Sequence, residues 1–140
     1  MKSGLEHVRE MQAMPPQAGM HALLGIAIGA TGAGTCSVTA VPDSRFYNHQ
    51  GRIHGGFLAT VIDTALGLAV QTVLPAKAGY GTVELKVNYV RKLDAAVEQV
   101  TCTGTVLHAG RTMLTAEAKV VGVDGKLYAH GSGTFLVYPK

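Results

Sequence analysis

The chain has 140 residues, 47% of them apolar, and carries 12 Lys and Arg against 9 Asp and Glu for a net charge of +3. That fits one domain with a real core and excludes a disordered chain. There is no long block of like charge, no zinc-finger spacing and no aromatic RNA-binding pattern, so no nucleic-acid partner is expected.

Taken in chain order, residues 3–12 read as a short polar helix that Pro15 and Pro16 break, and a second short helix runs from there to about Leu24. Residues 25–31 and 34–41 are two β-like runs around Gly32-Ala33, a hairpin. Pro42-Asp43-Ser44 supplies turn residues, and 45–56 reads as loop. From Gly55 to about Val73 the period is helical: Leu58, Val61, Ile62, Ala65, Leu66, Ala69 and Val70 recur at three and four. Phe57 and Leu68 lie off that stripe, so the helix is expected to be buried on most sides, ending before Pro75 and Gly79. The segment is long enough for a bilayer, but Asp63 near its centre costs about 2.5–3.5 kcal/mol there. It reads as a core helix, with no membrane partner.

The rest reads as β. In TVELKVNYV (82–90) the alternation predicts Val83, Leu85, Val87 and Tyr89 on one face and Glu84, Lys86 and Asn88 on the other. Residues 100–108, 111–121 and 126–138 follow as a meander, turned at Ala109-Gly110 and Val123-Asp124-Gly125. The expectation is an α+β fold in which a curved antiparallel sheet wraps one long helix. One helix cannot cover five or six strands, so a partner subunit is expected. Cys36 and Cys102 form neither a disulfide framework nor a metal-binding spacing and read as buried thiols. The charged N-terminus MKSGLEHVREMQ is no signal peptide, so the expected location is the cytoplasm.

Asp63 is the puzzle, an acid in an apolar helix. A structural reading has it satisfied by a neighbouring hydroxyl or amide. Gly55-Gly56 at the helix start favours a functional one. A helix N-terminus offers unsatisfied N–H groups and a positive dipole end, and glycines let a ligand atom approach them. Such a site binds a phosphate or stabilises an oxyanion. The P-loop pattern is not met, since Phe-Leu-Ala follows the glycines, and GATGAG (29–34) misses the dinucleotide pattern. His49 and His54 lack a third ligand for a metal. Gly55 and Asp63 are eight residues apart, roughly 12 Å along one helix, too far to act on one atom. Two antiparallel helices related by a two-fold axis bring each Asp63 beside the other's Gly55.

Asn48, His54-Gly55-Gly56, Asp63 and the strand from Thr82 to Val90 together resemble the hotdog-fold acyl-CoA thioesterases, closest to the PaaI-type branch named for phenylacetate degradation. The resemblance covers about Gly25 to Tyr138 and leaves residues 1–20 outside. It implies one hotdog domain, dimers with sheets joined edge to edge that often pair into homotetramers, and hydrolysis of an acyl-CoA without metal or redox cofactor. Carried over, Gly55 donates its N–H to the thioester oxygen and Asn48 positions the thioester or water. Asp63 of the facing subunit is nucleophile or general base, and Thr82 falls where the family often has a Ser or Thr holding the water or the acid. His54 and Gly56 match the motif, with His54 expected to orient the loop. Burial is expected to raise the carboxyl pKa toward neutrality. Arg91, Lys92 and Arg111 are candidates for the CoA phosphates, and Met113, Phe57 and Leu58 for the acyl pocket or the core.

Two other readings stand beside this one. A hydroxyacyl-thioester dehydratase shares the central helix and typically pairs a His with an acid; His54 and Asp63 leave that pairing open, while Asn48 and His-Gly-Gly favour hydrolysis. The other is a non-catalytic acyl-CoA-binding module.

Overall fold

A computed structural model describes residues 1–139. Helix α3 (Gly55–Val73) is the axis of the fold, and an all-antiparallel six-stranded sheet curls around it. Ahead of it come α1 (Gly4–Ala13), α2 (Met20–Leu24), β1 (Ala27–Gly32), β2 (Thr35–Ala40) and a 3-10 turn (Ser44–Phe46). After it come β3 (Ala78–Tyr89), β4 (Val100–Ala109), β5 (Met113–Gly122) and β6 (Leu127–Pro139). The strand order is β1-β2-β4-β5-β6-β3, so β4, β5 and β6 form the expected meander and β1 and β3 are the edges.

The core lies between helix and sheet. Val61, Ile62, Ala65, Leu66 and Val70 of α3 meet Val38, Val100, Cys102, Leu114, Val120 and Phe135 from the strands, all essentially without exposure. Alternation along β5 explains its share: Leu114, Ala116, Ala118 and Val120 point in, Glu117 and Lys119 out. α3 is the helix long and apolar enough to cross a membrane, and most of it is buried in this core.

Local expectations needed correction where glycine or a bulge intervenes. The β1–β2 turn is Ala33-Gly34, not Gly32-Ala33, because Gly34 takes the positive φ of 80°. α2 starts only at Met20, since its N-cap Gly19 stands at φ 86°, outside helical space. β3 begins at Ala78, ahead of the predicted Thr82.

The largest departure is within β3. Its register to β6 runs Thr82↔Phe135 and then Glu84↔Thr134, which leaves Val83 as the extra residue of a β-bulge. Val83, expected to face inward, is instead 57% exposed. A bulge reverses the parity of the strand. Tyr80 and Thr82 therefore share the inner face with Leu85 and Val87.

The N-terminal residues, which the sequence leaves unassigned, pack on the C-terminal half of α3. Ser3 and Glu6 form a capping box for α1, and the Gly4 N–H donates to the Leu74 carbonyl at 3.2 Å. A Cβ on Gly4 would collide with the Gln71 carbonyl oxygen, so glycine is what lets α1 begin against the end of α3. Val8 of α1 is fully buried.

Candidate active site

The site begins with how α3 starts. His54 is the N-cap (φ −60°, ψ 136°), and its Nδ1 accepts the Gly56 N–H at 2.8 Å. The His54 carbonyl accepts the Phe57 N–H at 2.9 Å. The Gly55 N–H has no acceptor among the described residues. It is a free donor at the positive end of a 19-residue helix.

The next peptide unit, which carries the Gly56 N–H, is held from both sides. Tyr89, at the end of β3, donates its hydroxyl to the Gly55 carbonyl at 2.6 Å. The Gly55–Gly56 peptide is thus gripped at its oxygen by Tyr89 and at its N–H by His54. A side chain on either glycine would crowd this grip. A Cβ on Gly55 would stand 3.0 Å from the Tyr89 hydroxyl, and one on Gly56 3.0 Å from His54 Nδ1. An accepting Nδ1 puts the proton of neutral His54 on Nε2.

Asn48 holds the loop that leads into the helix. Its Oδ1 accepts from the Gln50 and Arg52 N–H groups at 2.9 and 3.3 Å, and its own N–H donates to the Arg52 carbonyl at 2.7 Å. The side-chain oxygen is thereby committed, and the amide NH₂ is the end available to a ligand. Asn48, Gly55 and Tyr89 line one cavity of about 300 Å³ together with Arg52, Arg91 and Lys92. Three cations beside a helix N-terminus make this the anion-attracting region of the site.

Asp63 lies two helical turns further on. It is half-buried, on an open stripe with Ala59, Thr60 and Thr64. This corrects the sequence expectation of a buried acid: the sheet wraps the opposite side of α3. Asp63 Oδ1 accepts a hydrogen bond from Thr82 Oγ1 at 2.9 Å, a contact the bulge at Val83 makes possible. A separate cavity of about 340 Å³ is lined by Asp63, Thr60, Thr64, Leu85, Met20 and His21. Burial lowers the His21 pKa. Nearby Tyr80 is pushed up to about 12, by burial first and then by the Asp63 charge, so it stays a neutral phenol.

The structure thus brings Asn48 to Gly55 and Thr82 to Asp63, while Gly55 and Asp63 line different cavities of one chain. Arg91 joins the Gly55 cavity. Arg111 does not: it sits in the β4–β5 turn beside the Met113↔Leu136 pair, at the opposite end of the sheet from Tyr89↔Ala129. Met113 is 42% exposed and packs in no core, whereas Phe57 and Leu58 are core residues, with Phe57 stacked on Phe46 at 5.1 Å. His49 and His54 gain no third ligand, since no three of His, Cys, Asp and Glu converge among the described residues. Sequence reasoning overlooked Arg52, Met20, His21 and the hydroxyl of Tyr89. Only Tyr89 had a visible signal, as an inward-facing polar tip at the end of an alternating strand.

A long helix inside a curled antiparallel sheet, with a glycine amide left free at its start, defines the hotdog fold and its kind of site. The sequence model of the Thioesterase superfamily matches residues 50–129. The chain belongs to that superfamily, and thioester hydrolysis is its chemistry in general terms. It is 31% identical over 131 residues to a candidate esterase of Halobacterium salinarum, covering 86% of this chain and 85% of that one. A thioesterase family protein from Silicibacter pomeroyi superposes with a TM-score of 0.85 at 27% identity, over 99% of this chain and 100% of that one. The PaaI protein from the E. coli phenylacetic acid degradation operon shares the fold, with a TM-score of 0.81 at 23% identity over 94% of each chain.

Proposed function

We propose that the protein is a cytoplasmic acyl-CoA thioesterase that works as a two-fold dimer, paired further into a homotetramer, with aryl or medium-chain acyl groups as substrates. The thioester oxygen lies on the Gly55 N–H of one protomer. Asp63 of the other protomer delivers the attacking oxygen, either its own or that of a water it deprotonates. The oxyanion is stabilised by the free amide and the helix dipole, and its collapse breaks the C–S bond and expels the CoA thiolate; where the Asp63 oxygen attacks, water then hydrolyses the acyl–Asp63 anhydride to free acid and carboxylate. Thr82 holds the carboxylate in place. Asn48 reaches the thioester or the water through its NH₂. Arg52, Arg91 and Lys92 meet the CoA phosphates.

The observation that supports this reading is the unpartnered Gly55 N–H, between a His54 N–H bound to the Phe46 carbonyl and a Gly56 N–H bound to His54 Nδ1. Its separation from Asp63 is what requires the second protomer. β3 supports the pairing: it has β6 on one side only and twelve residues of open edge on the other. Antiparallel pairing of two β3 edges sets the Ala78 end of one beside the Tyr89 end of its partner, which also carries Arg111 toward the partner's basic cavity. The test is a panel of acyl-CoA thioesters with free thiol as the readout. Turnover by the wild type, abolished in Asp63→Asn with CoA binding retained, is the expected result. Cleavage of no thioester at all supports a binding module instead.

A further inference from the structure

We propose that Met20, from the segment ahead of the family match, decides which acyl groups the site accepts. This rests on the acyl-CoA reading above. Two cavities flank the open stripe of α3. One holds Asp63, with Thr64 and Leu85. The other, of about 280 Å³, is aromatic, lined by Phe46, Tyr47 and Phe57, and reaches His54 and Gly56 at the helix start. Among the described residues, only Met20 and Thr60 line both. Thr60 is fixed on α3, its hydroxyl bound to the Gly56 carbonyl at 2.9 Å. Met20 is therefore the adjustable side chain of the partition between the acid and the aromatic chamber. An unbranched thioether with three rotatable bonds suits a wall that yields to differently shaped apolar groups.

The placement of Met20 is specific. It opens α2, a five-residue helix set between two glycines in positive φ, Gly19 at 86° and Gly25 at 64°. Leu24, 8% exposed, anchors α2 to the core, and Met20, 50% exposed, hangs over the groove. The groove runs from Gly56 to Thr64, roughly 12 Å along the helix. A compact acyl group fits on one side of Met20, and a longer or aryl one has to pass it.

The experiment compares kcat/KM for a short straight-chain acyl-CoA and for phenylacetyl-CoA in the wild type, Met20→Ala, Met20→Trp and a control, Leu23→Ala. Leu23 shares α2 but lines neither cavity. The ratio of aryl to short-chain kcat/KM is expected to rise about tenfold in Met20→Ala and to fall about tenfold in Met20→Trp. Leu23→Ala is expected to leave it unchanged, and inhibition by free CoA to match wild type in all three. An active wild type whose ratio stays put in both Met20 variants overturns the proposal, as does a Leu23→Ala shift of equal size. A wild type silent on every thioester removes the acyl-CoA reading itself, and this inference with it.

Discussion

The two halves of helix α3 are built for opposite purposes. From Ala65 to Val70 every residue is buried, and α1 closes over the C-terminal end through Gly4 and Val8. From Gly55 to Thr64 one face stays open: Ala59, Thr60, Asp63 and Thr64 are only half-buried, and the first amide has no partner. The closed half supplies apolar burial, and so stability, at about 25 cal/mol per Å² removed from water. The open half forgoes that burial and keeps a donor and an acid available. Substitutions in the open half should therefore cost activity with little change in stability, and those in the closed half the reverse.

The largest effect is expected from Asp63→Asn, which removes the proposed base or nucleophile while keeping the shape. Its kcat should fall about 10²–10⁴-fold with the denaturation midpoint unchanged, measured by thiol release and urea unfolding. Next comes Gly55→Pro, which deletes the free N–H at the start of α3. Gly55 is the first helical residue, where proline is tolerated, and His54 already holds the extended ψ of 136° that a following proline demands. The chain should fold, with Tyr89 shifting slightly, and lose about 10²–10³-fold in kcat. Thr82→Val removes the hydrogen bond to Asp63 and nothing else of that size. A drop of about 10–100-fold in kcat, with KM little changed, is expected from loss of a bond to a charged group. On the closed half, Gly4→Ala forces a Cβ onto the Gln71 carbonyl. It should lower stability by about 1–3 kcal/mol in urea titration and leave kcat alone. A Gly4→Ala chain of full stability, or a Thr82→Val enzyme of full activity, would erase the division between the halves.

Much of this was legible in the sequence, for reasons that differ by element. The bounds of α3 follow from a long helical period closed by Pro75, and the meander from alternation with Asp-Gly at the tight turn. The pairing of Thr82 with Asp63 was not readable from period. Strict alternation points Thr82 away from the helix, and the bulge that turns it inward depends on register with β6, a tertiary fact. The exposure of Asp63 was misjudged because an apolar segment does not say which of its faces the sheet leaves open. Residues 14–24 gave no periodic signal, since their role depends on a groove made by other elements.

In the proposed dimer each site takes its amide from one chain and its acid from the other. The direct measurement mixes Asp63→Asn with Gly55→Pro, each inactive alone, under conditions that exchange subunits. Shared sites predict recovery to about one quarter of wild-type activity, since half of the dimers are mixed and each carries one intact site. A mixture that forms mixed dimers yet stays as inactive as its parents would contradict the account.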